Sequence, residues 1–137
     1  MTSLRATQER RRTGLNGKPN GGDLCEVRCF DEAKVRRARQ AMKRPPAVVA
    51  LAETFKVLGD PTRLRIAHAL AREELCVCDL ALAVGVSQSV ASHSLRALRE
   101  MRLVRYRREG KIAYYTLDDD HIRALLAEGF RHVEEFA

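Results

Sequence analysis

Apolar residues recur at spacings of three and four in two neighbouring stretches, Val48, Leu51, Phe55 and Leu58, then Leu64, Ala67, Leu70 and Ala71. That is the helical period, and it predicts a helix over Ala47–Leu58 and a second running to Glu73. Gly59 ends the first; Asp60 caps the second, with Pro61 at its first helical position. Upstream, Asp31 is placed to cap a helix over Glu32–Lys43, stopped by Pro45-Pro46. Its large apolar residues are few (Val35, Met42), so it is expected to lie on another surface, a partner subunit being one candidate. Downstream, Asp79–Val84 predicts a short helix, Gly85 a turn, and Ser87 the cap of a helix reaching Met101. The period then changes to two. Val104–Arg108 and Lys111–Leu117, joined by a Glu109-Gly110 turn, predict a hairpin. A last helix, His121–Phe136, follows Asp118–Asp120. This order predicts a mainly α chain with a small β-hairpin, a winged helix-turn-helix, with residues 47–137 as that domain and 23–46 as an N-terminal arm and helix.

Composition narrows the partners. With 25 Lys and Arg against 18 Asp and Glu, the chain carries +7, and its pI is near 9.7. Such a balance favours a polyanion without choosing which one. Aromatic residues are 5% and Trp is absent, which disfavours a base-stacking RNA platform. No apolar run is long enough to span a bilayer and the N-terminus lacks an apolar signal core, so a cytoplasmic chain without membrane partners is expected. Residues 1–22 hold Arg5, Arg10, Arg11, Arg12 and Lys18 against Glu9, among Gly, Asn and Pro, and are expected to be a disordered basic leader.

The Ser87–Met101 helix carries the DNA-reading chemistry. Val86, Val90, Leu95 and Leu98 are expected inward; Gln88, Ser89, Ser92, His93, Arg96 and Arg99 outward. Gln suits adenine, Arg suits guanine, and Ser reaches bases or phosphates. Short side chains near the helix start allow close approach to the groove. A solvated polar face would look similar, but this one follows a turn and precedes a basic hairpin. There Arg107, Arg108 and Lys111, nearest the tip, are the candidate backbone contacts.

Four cysteines fall in two tight pairs, Cys25/Cys29 and Cys76/Cys78. Residues i and i+2 diverge in a helix and share a face in extended chain, so Cys76 and Cys78 are expected to converge just before Asp79. Three or four thiolates would favour Cd(II), Pb(II) or Zn(II) over Mg(II) or Ca(II). Buried inert thiols and a dithiol redox switch are the alternatives. On the last helix, Asp119 and His121 stand at one end and His132 and Glu135 at the other; His121 lies eleven residues from His132, or about 16 Å of rise, too far for one ion. Two such helices antiparallel about a two-fold axis would join Asp119 and His121 of one chain to His132 and Glu135 of the other, a zinc-type set in a homodimer. His68 is expected partly buried and His93 to face DNA.

The stretches C-E-V-R-C-F-D-E (25–32), F-K-V-L-G-D-P-T-R-L-R-I (55–66), E-L-C-V-C-D-L (74–80), V-A-S-H-S-L-R-A-L (90–98), E-G-K-I-A-Y-Y-T-L (109–117) and D-D-H-I-R (119–123) resemble the ArsR–SmtB family of metal-responsive repressors, and within it the CadC-type cadmium/lead sensors. The resemblance implies a Cd(II)/Pb(II) site from Cys76 and Cys78 with Cys25 and Cys29 reaching across from the other protomer. It also implies a zinc-type dimer-interface site of Asp119, His121, His132 and Glu135. Ser94 departs from the His of the family's S-H-H-L pattern. The function expected is a dimeric repressor on operator DNA, released by Cd(II), Pb(II) or Zn(II) to derepress metal-resistance or efflux genes. A thiol-redox repressor and a metal-sequestering protein are the other readings. No enzyme is expected, because no nucleophile motif or phosphate loop is present and a closed four-ligand metal site leaves no open position.

Overall fold

The computed structural model describes Cys25, Val27 and residues 29–136; the leader expected over 1–22 lies outside the described residues. Two units meet between Arg44 and Pro45. In the first, helix α1 spans Glu32–Ala41 and buries no residue. Asp31 caps it, accepting from the Ala33 and Lys34 N–H groups at 2.9 and 3.2 Å. The Lys34 N–H holds the Asp31 carboxyl below its ordinary range, and the Lys34 and Arg37 charges act the same way. Helix α1 stops short of the expected Lys43, because Met42 is already extended.

The second unit opens with α2, Pro45–Leu58. The two prolines, expected to precede this helix, form its first turn, where a missing N–H leaves no bond unmade. Asp60 accepts from the Arg63 N–H at 2.9 Å and starts α3, Pro61–Leu70. That helix ends before the expected Glu73, since the chain must reverse to enter a strand the periodicity did not predict. This strand, β1 (Leu75–Cys76), leads directly into α4, Val77–Val84. Gly85, at φ 79°, takes the left-handed conformation that closes α4, with its N–H on the Ala81 carbonyl at 2.8 Å. Ser87 caps α5, Gln88–Glu100, accepting from Val90 N–H at 3.1 Å.

Strands β2 (Val104–Glu109) and β3 (Ile112–Leu117) form the hairpin. Glu109 pairs with Ile112, so the turn residues are Gly110 and Lys111, one position beyond the expected pair. The sheet has three antiparallel strands in the order β1-β3-β2, one more than the hairpin alone. Helix α6, Asp120–Glu134, closes the chain, and Asp119 caps it through Ile122 N–H at 3.0 Å.

The core gathers Leu58, Ile66, Ala67, Leu70, Leu80, Val84, Leu95, Leu98, Leu103, Val104, Leu117 and Leu126. It therefore lies where α3, α4 and α5 meet the base of the hairpin, with α6 contributing Leu126. Burial corrects three expectations. Val90 is 44% exposed, and Ala91 and Ser94 share the inner face with Leu95 and Leu98. His68 is exposed, its ring 4.4 Å from that of Phe130. Val48, Leu51 and Phe55 of α2 stay exposed although their spacing marks an apolar face.

At Gly85 an added Cβ would meet nothing within 4 Å, so only the backbone conformation resists a side chain. Gly85→Ala is expected to lower stability by about 1–2 kcal/mol, the cost of a left-handed L-residue, without disturbing the core. Urea unfolding with an unchanged m-value checks this.

Candidate functional site

The surface expected to read DNA is built from α5 and the hairpin. Gln88, Ser89, Ser92, His93 and Arg96 are all exposed, as their helical phase predicts. Ser94, in contrast, is 5% exposed on the inner face, so replacing a His there removes nothing from the outer surface. Beyond these, Arg99 places its guanidinium 5.2 Å from the centre of the Tyr106 ring, and Arg108 lies 5.9 Å from the same ring. One aromatic side chain thus draws the end of α5 and the hairpin's basic edge together. Tyr106 is a functional candidate the sequence reading missed. Its place in a β-rich run next to arginines was the available signal.

Neighbouring strand residues point to opposite faces. Arg107 accordingly leaves the side that carries Arg108 and turns toward β1. Its Nε donates to both Glu74 oxygens at 3.1 Å, its Nη2 to Glu74 Oε1 at 2.6 Å, and its Nη1 to Glu109 at 3.0 Å. The guanidinium also lies 4.9 Å from the Tyr114 ring centre. The bond to Arg107 holds the Glu74 carboxyl below its ordinary range, and the two carboxylates push the guanidinium's pKa still higher. Arg107 therefore shares its charge with two acids, whereas among the described residues Arg108 and Lys111 form no ion pair.

Cys76 belongs to the same arrangement. It pairs with Tyr114 across β1 and β3, and Tyr114 pairs with Arg107 across β3 and β2. Directly opposed residues share a face, so Cys76, Tyr114 and Arg107 form one row across the sheet. The alternate row, Leu75, Tyr115 and Tyr106, begins with Leu75 and Tyr115 packed against the core. Cys76 is also the N-cap residue of α4, yet its side chain makes no capping bond. Cys78 falls in the first turn of α4, which starts at Val77 and not at the expected Asp79. The two thiols thus straddle a strand-to-helix junction, Cys76 half-buried and Cys78 exposed. Soft sulfur donors of this kind suit Cd(II), Pb(II) or Zn(II), but two donors do not complete a site. Cys25 and Cys29, both exposed, stand in the other unit.

On α6, Asp119 Oδ1 is 3.7 Å from His121 Nδ1, and the imidazole is 95% exposed. His132 and Glu135 stand at the far end of the helix, the His132 ring 5.0 Å from that of Phe136. Among the described residues, no three His, Cys, Asp or Glu side chains gather around a point that could hold a metal. Each half-set within this unit is therefore short of ligands and would need donors from outside it.

Residues 60–106 match the family model described as a bacterial regulatory protein of the arsR family. The chain is 45% identical over 117 residues to a cadmium resistance transcriptional regulatory protein CadC homolog of Staphylococcus aureus, covering 84% of this chain and 95% of that one. It is 46% identical over 112 residues to a transcriptional repressor SmtB homolog of Synechocystis, covering 82% and 85%. Among solved structures, the homodimeric winged helix-turn-helix DNA-binding domain of a possible ArsR-family regulator from Mycobacterium bovis matches with a TM-score of 0.63 and 31% identity, covering 70% of this chain and 91% of that one.

The Glu74–Arg107 bridge exists only while Glu74 is ionised. Its depressed pKa means the bridge is complete above the ordinary carboxylate range and is lost as pH falls through the lower, folded-state value. Glu74→Gln is expected to speed amide exchange in β1 and the hairpin at neutral pH while leaving α3 and α5 protected. In the unsubstituted chain, the same local loosening is expected only in acid below the usual carboxylate titration. Hydrogen exchange followed against pH checks both.

Proposed function

We propose, from the premise that the chain belongs to the ArsR family of bacterial regulatory proteins, that it is a metal-responsive transcriptional repressor working as a homodimer on operator DNA. The observation that carries this reading is the position of Cys76. It is at once the last residue of β1, in register with the hairpin, and the N-cap of α4, the helix that feeds α5 through Gly85. A ligand seated on Cys76 and Cys78 would act on both DNA-facing elements from their common junction.

In the DNA-bound form, two α5 helices would enter successive major grooves of an inverted repeat. Gln88, Ser89, Ser92, His93 and Arg96 would face the groove, and Arg108 and Lys111 would meet phosphates. Arg107, its charge shared with Glu74 and Glu109, is the weakest of the three hairpin contacts. The dimer reading is supported by the exposed α2 face (Val48, Leu51, Phe55), by exposed Val133 on α6 and Phe136 just after it, and by the homodimeric state of the Mycobacterium bovis domain.

Cys76 and Cys78, with Cys25 and Cys29 from the partner protomer, would hold Cd(II) or Pb(II) through soft thiolate donors, Zn(II) being a further inducer. Asp119, His121, His132 and Glu135 would form a second, zinc-type site between two α6 helices. Filling the thiolate site would tie the N-terminal segment to the β1–α4 junction and disfavour the arrangement that fits DNA. A coupling free energy of roughly 1–3 kcal/mol suffices for a 5- to 150-fold loss of affinity. The genes released would be those of metal resistance or efflux.

Titration of Cd(II) into the protein on a duplex recovered by in-vitro selection, reading thiolate-to-metal absorbance and DNA release together, tests this reading. Both signals are expected to move at the same metal ratio, and Cys76→Ser is expected to reduce both. DNA affinity unchanged under saturating Cd(II), Pb(II) and Zn(II) would sink the sensor function. Release on peroxide with loss of free thiols, insensitive to chelator, would favour a redox switch instead.

A further inference from the structure

Helix α1 buries none of its residues and carries an excess of positive charge. Lys34, Arg36, Arg37 and Arg39 lie in it, Lys43 and Arg44 follow, and no acidic residue occurs from 33 to 44. All six cations are exposed, and among the described residues none is in an ion pair. Of the two carboxylates at its start, Asp31 accepts from the Ala33 and Lys34 N–H groups, and Glu32, exposed in the first turn, forms no ion pair among the described residues.

At 3.6 residues per turn, Val35, Ala38 and Met42 share one narrow strip, and the four helical cations occupy the rest of the circumference. Lys34 and Arg37, and Arg36 and Arg39, are like charges at i, i+3, which weakens an isolated helix. Ten residues are marginal alone in water even without that repulsion. A helix so built gains most from a surface that neutralises it.

We infer that α1 is a DNA-backbone-contacting element, seating Lys34, Arg36, Arg37 and Arg39 on phosphates. The inference rests on the chain being a DNA-binding regulator. Three of the four cations are arginines, whose planar guanidinium matches phosphate oxygens in pairs. A membrane-surface helix would need large apolar residues opposite its charges, and here only Val35 and Met42 are available.

Each neutralised phosphate adds about 0.9 to the slope of log affinity against log salt. The four-site variant Lys34→Gln, Arg36→Gln, Arg37→Gln, Arg39→Gln keeps good helix formers and leaves the cysteines intact. Its affinity for a 30-base-pair duplex (about three helical turns) measured across KCl concentrations is expected to show a slope shallower by about 2 to 4. Arg65→Gln with Arg72→Gln, which removes exposed charge from α3 and the turn after it, is expected to leave the slope unchanged. A wild-type slope in the four-site variant, or an equal loss per charge in the α3 variant, would overturn the inference. So would an unchanged DNA slope accompanied by lost binding to phosphatidylserine vesicles, which would make α1 a membrane contact. If the wild-type chain bound no DNA, the regulator reading would fall first and this inference with it.

Discussion

Two residues of strand hold the molecule's functional parts in one frame. Leu75 and Cys76 pair with Tyr115 and Tyr114, and the chain enters α4 at the next position. Leu75 and Tyr115 bind this short ladder to the core from one side. On the other side Glu74 grips Arg107 and links the strand to the hairpin. Without that pairing the segment between α3 and α4 would be a loop, the hairpin would lose its link to β1, and Cys76 would have no defined relation to either. The strand is too short to be stable by itself, so it depends on the core it helps to organise.

The two faces of the hairpin consequently have different work. The face carrying Tyr106 and Arg108 is drawn to the end of α5 by Arg99 and is open to a polyanion. The face carrying Arg107 and Tyr114 belongs to the Cys76 row and is neutralised by Glu74 and Glu109. A stretch of consecutive basic residues is thereby split, by strand alternation, into a cation that forms no ion pair among the described residues and a cation used to hold the sheet together. In the proposed repressor, this split puts Cys76 and Arg108 on opposite faces of one thin sheet. A small displacement at Cys76 would reach the hairpin through backbone hydrogen bonds, with no long route through the core.

The exposed apolar residues fit the same economy. Val48, Leu51 and Phe55 repeat at helical spacing yet stay exposed, and among the described residues no three His, Cys, Asp or Glu side chains of α6 gather around one point. Both incomplete features are met by a second copy in the proposed dimer, in which one two-fold axis would cover the apolar faces and complete the metal sets.

Helix existence, capping by Asp31, Asp60 and Ser87, the turn at Gly85 and the outward residues of α5 were all legible in the sequence. Each depends on local spacing or on a side chain bonding to backbone a few residues away. The identities of the thiol and histidine ligand candidates were equally legible, because donor chemistry belongs to the residue itself. What needed tertiary structure was every feature decided by a non-local neighbour. Strand β1 is two residues long and has no periodicity to read; only Tyr114 and Tyr115, some forty positions away, make it a strand. The start of α4 at Val77 follows from that pairing. So does the engagement of Arg107 by Glu74, which is 33 residues distant. Val90 and Ser94 changed faces because the positions of α3 and α4, and not the polarity of the residue, set which arc of α5 is covered.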